Sequence, residues 1–192
     1  FADAAETLAS WRRGYGVDGE GFRGAVVDVQ DIFDEFSAGR TDPTAIRNFL
    51  RLAFEQWNGG DPAAAPSFVL LLGDTVFDFR DRLKQGAKVW VPAYEGFYDA
   101  SLMHTVYSPQ FASDDWYVLY DPYPDPSLDM AIGRLPADTP ASALAMVEKV
   151  RGYESTQDSG PGRQRMTLVA DDVCQGLHCD YPLVFTHMRQ TE

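Results

Sequence analysis

Apolar residues recur at helical spacing in three stretches of the chain, each with a start or stop signal. A helix opens the chain and ends near Gly14. Asp42-Pro43 and Thr139-Pro140 are typical helix starts, because the first residue caps the helix and proline fits its first turn. The faces that the three helices would bury are Phe1, Ala4, Ala5, Leu8 and Trp11; Ile46, Phe49, Leu50, Ala53, Phe54 and Trp57; and Ala143, Met146, Val147, Val150 and Tyr153.

Runs of apolar and β-branched residues predict four strands, at residues 22–29, 67–72, 130–135 and 166–170. The second run is apolar throughout, so we expect it to be buried on both faces. Between residues 75 and 129 the pattern breaks down into prolines, aromatics and aspartates, which indicates functional loops or short elements. A last helix is predicted to begin near Tyr181 and Pro182.

Alternating strands and helices predict an α/β fold, with a mainly parallel sheet covered by helices on both faces in three layers. The 192 residues suit a single domain, 1–192. In open parallel sheets, ligands and catalytic groups gather beyond the carboxyl ends of the strands. We therefore expect the functional side chains of this protein to lie at that edge of the sheet.

The formal net charge of −13 makes nucleic acid and anionic membrane surfaces poor partners, because both are bound through Lys and Arg. The sequence has no apolar run near the roughly 20 residues that span a bilayer. It shows no signal peptide at its start, which is the expectation for a mature, trimmed or cytosolic chain.

Acidic residues follow the predicted strands or lie near their ends: Asp28, Asp74, Asp114 with Asp115, and Asp171 with Asp172. Carboxylates gathered at one sheet edge suit calcium or the orientation of a catalytic base. Each of these aspartates is also a common helix cap or turn residue. Calcium is therefore a possible ligand, and no other cofactor is expected. Arg134, at the end of a predicted strand, is expected to pair with an acid and fix the loops.

Two cysteines and two histidines lie close together in the sequence, at Cys174, His178, Cys179 and His187. A structural zinc site needs four ligands around a tetrahedron, and adjacent His178 and Cys179 are awkward as joint ligands. The two thiols could pair, bind metal or do neither. No metal site is assigned to them.

Six segments in order resemble the gingipain-type cysteine peptidases of family C25, over about Thr7 to Asp172. The segments are Val26-Val27-Asp28-Val29 continuing to Ser37, with Gly39, Asp42-Pro43 and Arg47; Phe68-Val69-Leu70-Leu71-Leu72-Gly73-Asp74; Val91-Pro92 with Tyr94-Glu95; Ser113-Asp114-Asp115-Trp116-Tyr117; Ala131-Ile132-Gly133-Arg134-Leu135-Pro136; and Leu168-Val169-Ala170-Asp171-Asp172.

The resemblance implies a catalytic domain of two side-by-side α/β subdomains, the second of which is similar to caspases. In the family, the nucleophilic Cys and the His, which is followed by Gly, lie in the second subdomain. No His of this sequence is followed by Gly, and neither Cys follows an apolar strand. The chain thus resembles only the first subdomain, and its cut last helix indicates truncation. The resemblance makes Asp171 the acid that orients the His, with Asp172 as the alternative, and makes Asp180 a candidate for pairing with a substrate arginine.

The function implied by resemblance is peptide-bond hydrolysis by a parent cysteine endopeptidase, with this chain inactive alone. Its partners would be a polypeptide substrate and the following subdomain, and its location would be secreted or on a bacterial cell surface. Two alternatives stay open: a non-catalytic scaffold or interaction domain of a surface-secretion component, and a calcium-binding domain.

Overall fold

The computed structural model describes residues 1–14, 21–57, 59, 61, 64–86, 88–97, 110–120, 127–156, 160 and 165. The chain divides into two units, Phe1–Glu154 and Ser155–Glu192. The elements below belong to the first unit, apart from the last residue of its final helix. The second unit lies almost wholly outside the described residues, so the single-domain assignment stays a prediction.

Four α-helices, four strands and one 3₁₀ turn make up the described part of the chain. The helices are α1 Ala2–Gly14, α2 Val29–Ser37, α3 Pro43–Gln56 and α4 Pro140–Ser155. The strands are β1 Phe68–Leu72, β2 Tyr94–Phe97, β3 Gln110–Ser113 and β4 Ala131–Leu135, and the 3₁₀ turn is Asp115–Val118. No helix in these described ranges is long and apolar enough to cross a membrane.

The central strands β1 and β4 run parallel, with Phe68 opposite Ala131 and Leu72 opposite Leu135. Strands β2 and β3 form a separate antiparallel pair, in which Tyr94 lies opposite Ser113. This pair and the 3₁₀ turn lie in the region between residues 75 and 129, which the sequence assigned to loops or short elements.

Two apolar cores lie on opposite faces of the β1–β4 pair, because neighbouring residues of a strand point to opposite faces. One contains Leu71 and side chains of α2, α3 and the 3₁₀ turn, namely Ile32, Phe33, Ile46, Leu50, Tyr117 and Val118. The other packs Leu72 and Leu135 against α1 and α4 through Ala4, Leu8, Ala143 and Val147. A parallel pair between helical layers confirms the predicted α/β class.

The helices predicted from Asp42-Pro43 and Thr139-Pro140 are both present. The Asp42 side chain accepts a hydrogen bond from the Thr44 amide at 2.9 Å, as an N-cap does. Thr139 caps α4 in the same way, since its Oγ1 accepts from the Ser142 amide at 3.1 Å. The opening helix also ends at Gly14, as predicted.

The strand predicted at residues 22–29 is wrong. Residues 21–28 form no strand, and Val29 begins helix α2. Asp28 is in extended backbone, and its carboxylate accepts from the Gln30 amide at 2.8 Å, so it is a helix cap rather than the end of a strand. The apolar residues that follow recur at helical spacing and pack into the first core, namely Val29, Ile32, Phe33 and Phe36.

The expectation that β1 is buried on both faces is also wrong. Phe68 and Leu70 are 63% and 48% exposed. Both lie on the same strand face as Leu72, which packs in the second core, but neither belongs to that core. Helices α1 and α4 therefore cover this face only where the two strands end.

Candidate functional site

Strands β1 and β4 end side by side, and their backbones stay paired beyond the last strand residues. The Gly73 amide donates to the Leu135 carbonyl at 3.0 Å, and the Asp74 amide donates to the Ala137 carbonyl at 2.8 Å. We call this end of the sheet the carboxyl edge. It has the position at which open parallel sheets place ligands.

Gly73 lets the chain turn sharply as it leaves β1. Its φ of +145° lies in a region that side chains strongly disfavour. A Cβ at this position would lie 2.7 Å from Cβ of Trp90 and 3.2 Å from Cγ2 of Val91. Glycine thus brings residues 90–91 against the end of β1.

The carbonyl of Asp74 holds the same returning segment. It accepts hydrogen bonds from the amides of Trp90 at 3.1 Å and Val91 at 3.2 Å. One residue further on, Oγ1 of Thr75 accepts from the Ala93 amide at 3.0 Å. Hydrogen bonds therefore hold the chain that departs at residue 74 against the chain that returns at residue 90.

Arg134 ties the whole carboxyl edge together through five hydrogen bonds. Its Nε and Nη2 donate to the two carboxylate oxygens of Asp114 at 2.8 and 2.7 Å. Its Nη1 donates to the carbonyls of Gly73 at 2.8 Å and Val91 at 2.7 Å, and Nη2 also reaches the Pro92 carbonyl at 3.3 Å. The predicted pairing of Arg134 with an acid is confirmed, and the acid is Asp114.

The ion pair is well shielded, since only 11% of the Arg134 side chain and 25% of the Asp114 side chain are exposed. Two parallel N–H···O bonds between a guanidinium and a carboxylate are among the strong hydrogen bonds of proteins. The acceptors lie in three other segments of the chain, at Gly73, at Val91 with Pro92, and at Asp114. The pair consequently fixes the relative positions of those segments.

Tyr117 supports this arrangement from the first core. Its buried hydroxyl donates to the Pro92 carbonyl at 2.6 Å. Burial raises the pKa of the Tyr117 phenol, and the nearby Arg134 opposes that rise only in part. The phenol therefore stays protonated at ordinary pH and keeps donating to the backbone. It is a packing residue.

A second arginine, Arg47 of α3, holds the aromatic side of the fold. Its guanidinium donates to the carbonyls of Trp116 and Leu119. It also lies over the Trp116 ring, 4.7 Å from the centroid, and Tyr94 stacks with the Trp116 ring at 3.9 Å. Only the place of Arg47 in a family-like segment hinted at this contact, because backbone carbonyl acceptors leave no mark in a sequence.

Glu95 of β2, in the chain that follows the returning segment, has a raised pKa. Burial raises its pKa, and the charge of Asp78 raises it further.

Asp74 uses one carboxylate oxygen to accept from the Thr75 amide at 2.9 Å, so it is a turn residue here. Within the described ranges, no three His, Cys, Asp or Glu side chains lie close enough to hold a metal ion. Possible calcium binding stays a prediction.

The site residues named from the resemblance lie outside the described residues. They are Asp171, Asp172 and Asp180, and the same holds for the Cys/His group Cys174, His178, Cys179 and His187. Of the other strand-end acids, the structure brings Asp74 and Asp114 to the carboxyl edge, whereas Asp28 caps α2.

The parallel pair, its helical layers and its built carboxyl edge define this chain as an α/β domain of the kind that presents functional groups beyond its strand ends. The sequence profile of peptidase family C25 matches residues 1–191. The chain therefore belongs to peptidase family C25, as its six segments indicated.

A solved structure supports the same fold. The crystal structure of dimeric latent PorU from Porphyromonas gingivalis superposes with a TM-score of 0.64 at 27% sequence identity. The match covers 88% of this chain but 16% of the PorU chain. Among curated proteins, no sequence matches this chain.

The two arginines bring together distant segments of the sequence that resemble the family. Arg134, in one such segment, binds residues of three others: Gly73, Val91 with Pro92, and Asp114. Arg47, from the first segment, joins Trp116, which in turn stacks on Tyr94. Five of the six segments thus meet around two guanidinium groups.

Proposed function

We propose that this chain is the first subdomain of the catalytic domain of a C25 cysteine endopeptidase, in which a following subdomain supplies the nucleophilic Cys and the His. Membership of the family supports a peptidase-related function. The observation that carries the proposal is the Arg134 clamp, which makes the carboxyl edge a fixed platform from four chain segments.

In this proposal the thiolate of the following subdomain attacks the peptide carbonyl while the His transfers protons. Asp171, which follows the strand predicted at residues 166–170, would accept a hydrogen bond from the imidazole and keep it in the productive tautomer. Asp172 is the alternative for that role. Asp180 would pair with an arginine side chain of the substrate. A secreted or surface location goes with this proposal and rests on family resemblance.

The test uses the longer protein that the proposal requires, together with the 192-residue chain. Replacing Asp171 by Asn in the longer protein should lower kcat about 100-fold or more and leave KM nearly unchanged, because a lost orienting acid acts on the transition state. Asp172→Asn is the matched control and should retain most of the activity. The 192-residue chain should hydrolyse no peptide in a thiol-dependent manner.

Robust thiol-dependent hydrolysis by the 192-residue chain would contradict the proposal. A longer protein without His-Gly and without Cys after a strand would instead favour the scaffold or interaction function. If Asp172→Asn, but not Asp171→Asn, abolishes activity, the two acids exchange roles.

A further inference from the structure

The chain between β1 and β2 forms a loop whose two ends are fixed at the carboxyl edge. Arg134 Nη1 donates both to the Gly73 carbonyl before the loop and to the Val91 carbonyl after it. We call residues 77–88 of this connection the basic loop. Both of its ends are therefore anchored beside the candidate site.

The carboxylates of the basic loop are used to fold its own backbone. Asp78 Oδ2 accepts from the Leu83 amide at 2.6 Å, and Asp81 Oδ1 accepts from the Gly86 amide at 3.0 Å. Hydrogen bonds from the backbone of Leu83 and, next, Arg82 lower the pKa of Asp78. The two acids thus hold successive turns in place, and the basic side chains are left to form the surface.

That surface differs from the rest of the protein in charge. Residues 77–88 contain four of the sixteen Lys and Arg residues and two acids, which gives a formal charge of +2 in a chain of −13. Arg82 and Lys84 are exposed. Arg80 approaches Asp42 only at 3.9 Å and keeps 46% of its side chain exposed, while Lys88 lies 3.4 Å over the Trp90 ring.

Two large apolar side chains lie among these cations. Phe77 and Leu83 are each 63% exposed. Apolar anchors surrounded by arginines are the composition that protein-binding surfaces favour. The basic loop therefore offers both charge and apolar area to a polypeptide.

We propose that the basic loop binds acidic segments of the polypeptide substrate, beyond the residues next to the cleaved bond. This inference rests on the proposed peptidase function. Carboxylates of the substrate would pair with Arg80, Arg82 and Lys84, and an apolar side chain would pack on Phe77 or Leu83. An acidic segment is repelled by the rest of this acidic protein, so the local positive charge would select where it binds.

The binding test uses the 192-residue chain and a fluorescent peptide rich in glutamate with one phenylalanine, measured by anisotropy. The variant Arg80→Gln/Arg82→Gln/Lys84→Gln should raise Kd about tenfold, because three exposed ion pairs with the peptide are lost. The control Arg13→Gln/Arg23→Gln/Lys149→Gln removes the same charge from exposed positions elsewhere. It should change Kd by no more than about twofold, because salt screens distant charges.

Two further measurements probe the chemistry. A peptide with glutamine in place of glutamate should bind weakly, and Phe77→Ser/Leu83→Ser should weaken the binding of the acidic peptide. Equal weakening by both triple variants, equal binding of the glutamine peptide, or a change of oligomeric state in the loop variant would overturn the proposal. Because the readout is binding, loss of the proposed peptidase activity leaves the result intact, and failure of binding leaves the test of Asp171 intact.

Discussion

Arg134 joins three chain segments to its own strand because a guanidinium is planar and carries five donors in fixed directions. Two of these donors match the oxygens of Asp114, and the others match backbone carbonyls of Gly73, Val91 and Pro92. A lysine ammonium is a point charge with three donors and cannot reproduce this fork. The contact depends on the shape of the cation as well as its charge.

We therefore expect Arg134→Lys to lower the free energy of unfolding by about 2–4 kcal/mol. The lysine ammonium would leave some of the shielded carboxylate and carbonyl acceptors without a donor. Arg13→Lys, in the exposed pair with Glu6, should cost less than about 0.5 kcal/mol. Urea denaturation followed by circular dichroism measures both. Equal stability of the two variants would show that the fork is dispensable.

Gly73 is required by space as well as by backbone conformation. Gly73→Ala places a Cβ 2.7 Å from Cβ of Trp90 at a φ of +145°, and we expect a loss of about 2–4 kcal/mol. Gly133→Ala in β4 is the matched control, since nothing lies within 4 Å of its Cβ. Thermal melting should separate the two variants clearly. A Gly73→Ala variant as stable as the wild type would contradict this explanation.

Glu95 gives the protein a pH dependence with a defined sign. Its pKa is raised in the folded state by burial and by Asp78, so stability is lost as the pH rises through that pKa. Glu95→Gln should stabilise the protein at pH 7 by less than about 1 kcal/mol, because part of the carboxyl remains hydrated, and this gain should vanish in acid. Urea denaturation of both proteins at pH 7 and in acid measures the sign of this change in stability. The exposed Glu35→Gln is the control, and a gain that grows on acidification would refute the prediction.

At the scale of elements, α2 shows how one residue changes the structure of its neighbours. The valines at residues 26, 27 and 29 suit a strand, but Asp28 binds the Gln30 amide and begins a helix in the middle of the run. The following apolar residues Ile32, Phe33 and Phe36 then recur at helical spacing and pack into the first core. A capping side chain here overrides β propensity.

Asp28→Ala should cost about 1 kcal/mol, the usual value of an N-cap, and Asp28→Ser should restore most of it. Asp31→Ala removes an exposed acid from the first turn of the same helix and should cost only a few tenths of a kcal/mol through the helix dipole. Chemical denaturation of the three variants provides the measurement. An equal effect of the alanine changes at positions 28 and 31 would mean that charge, rather than capping, stabilises α2.

For the whole molecule, the sequence predicted those parts of the fold that local chemistry determines. Helices α3 and α4 begin at Asp42-Pro43 and Thr139-Pro140, and β1 and β4 are short apolar runs. The pairing of β2 with β3 was not predicted, because these strands have only four residues each and contain no β-branched residue. The exposure of Phe68 and Leu70 depends on how far the covering helices reach, which a strand's own residues do not record.

The candidate site was predictable to a similar degree. A charge at the end of a strand indicated that Arg134 would pair with an acid, and the structure identifies that acid as Asp114. The other acceptors of Arg47 and Arg134 are five backbone carbonyls, four of them in three separate loops, and backbone carbonyls are alike in every residue. The proposed roles of Asp171, Asp172 and Asp180 stay predictions.

The fixed ends of the connection between β1 and β2 have a consequence for protein engineering. Asp74 and Trp90 are joined by a hydrogen bond at 3.1 Å, and Arg134 fastens both flanks to the sheet. Thr75 adds to that junction through the Ala93 amide, whereas the residues that follow Thr75 contribute little to it. An insert of different length or composition between Thr75 and Trp90 should therefore leave the sheet intact, so this position suits the grafting of new recognition peptides.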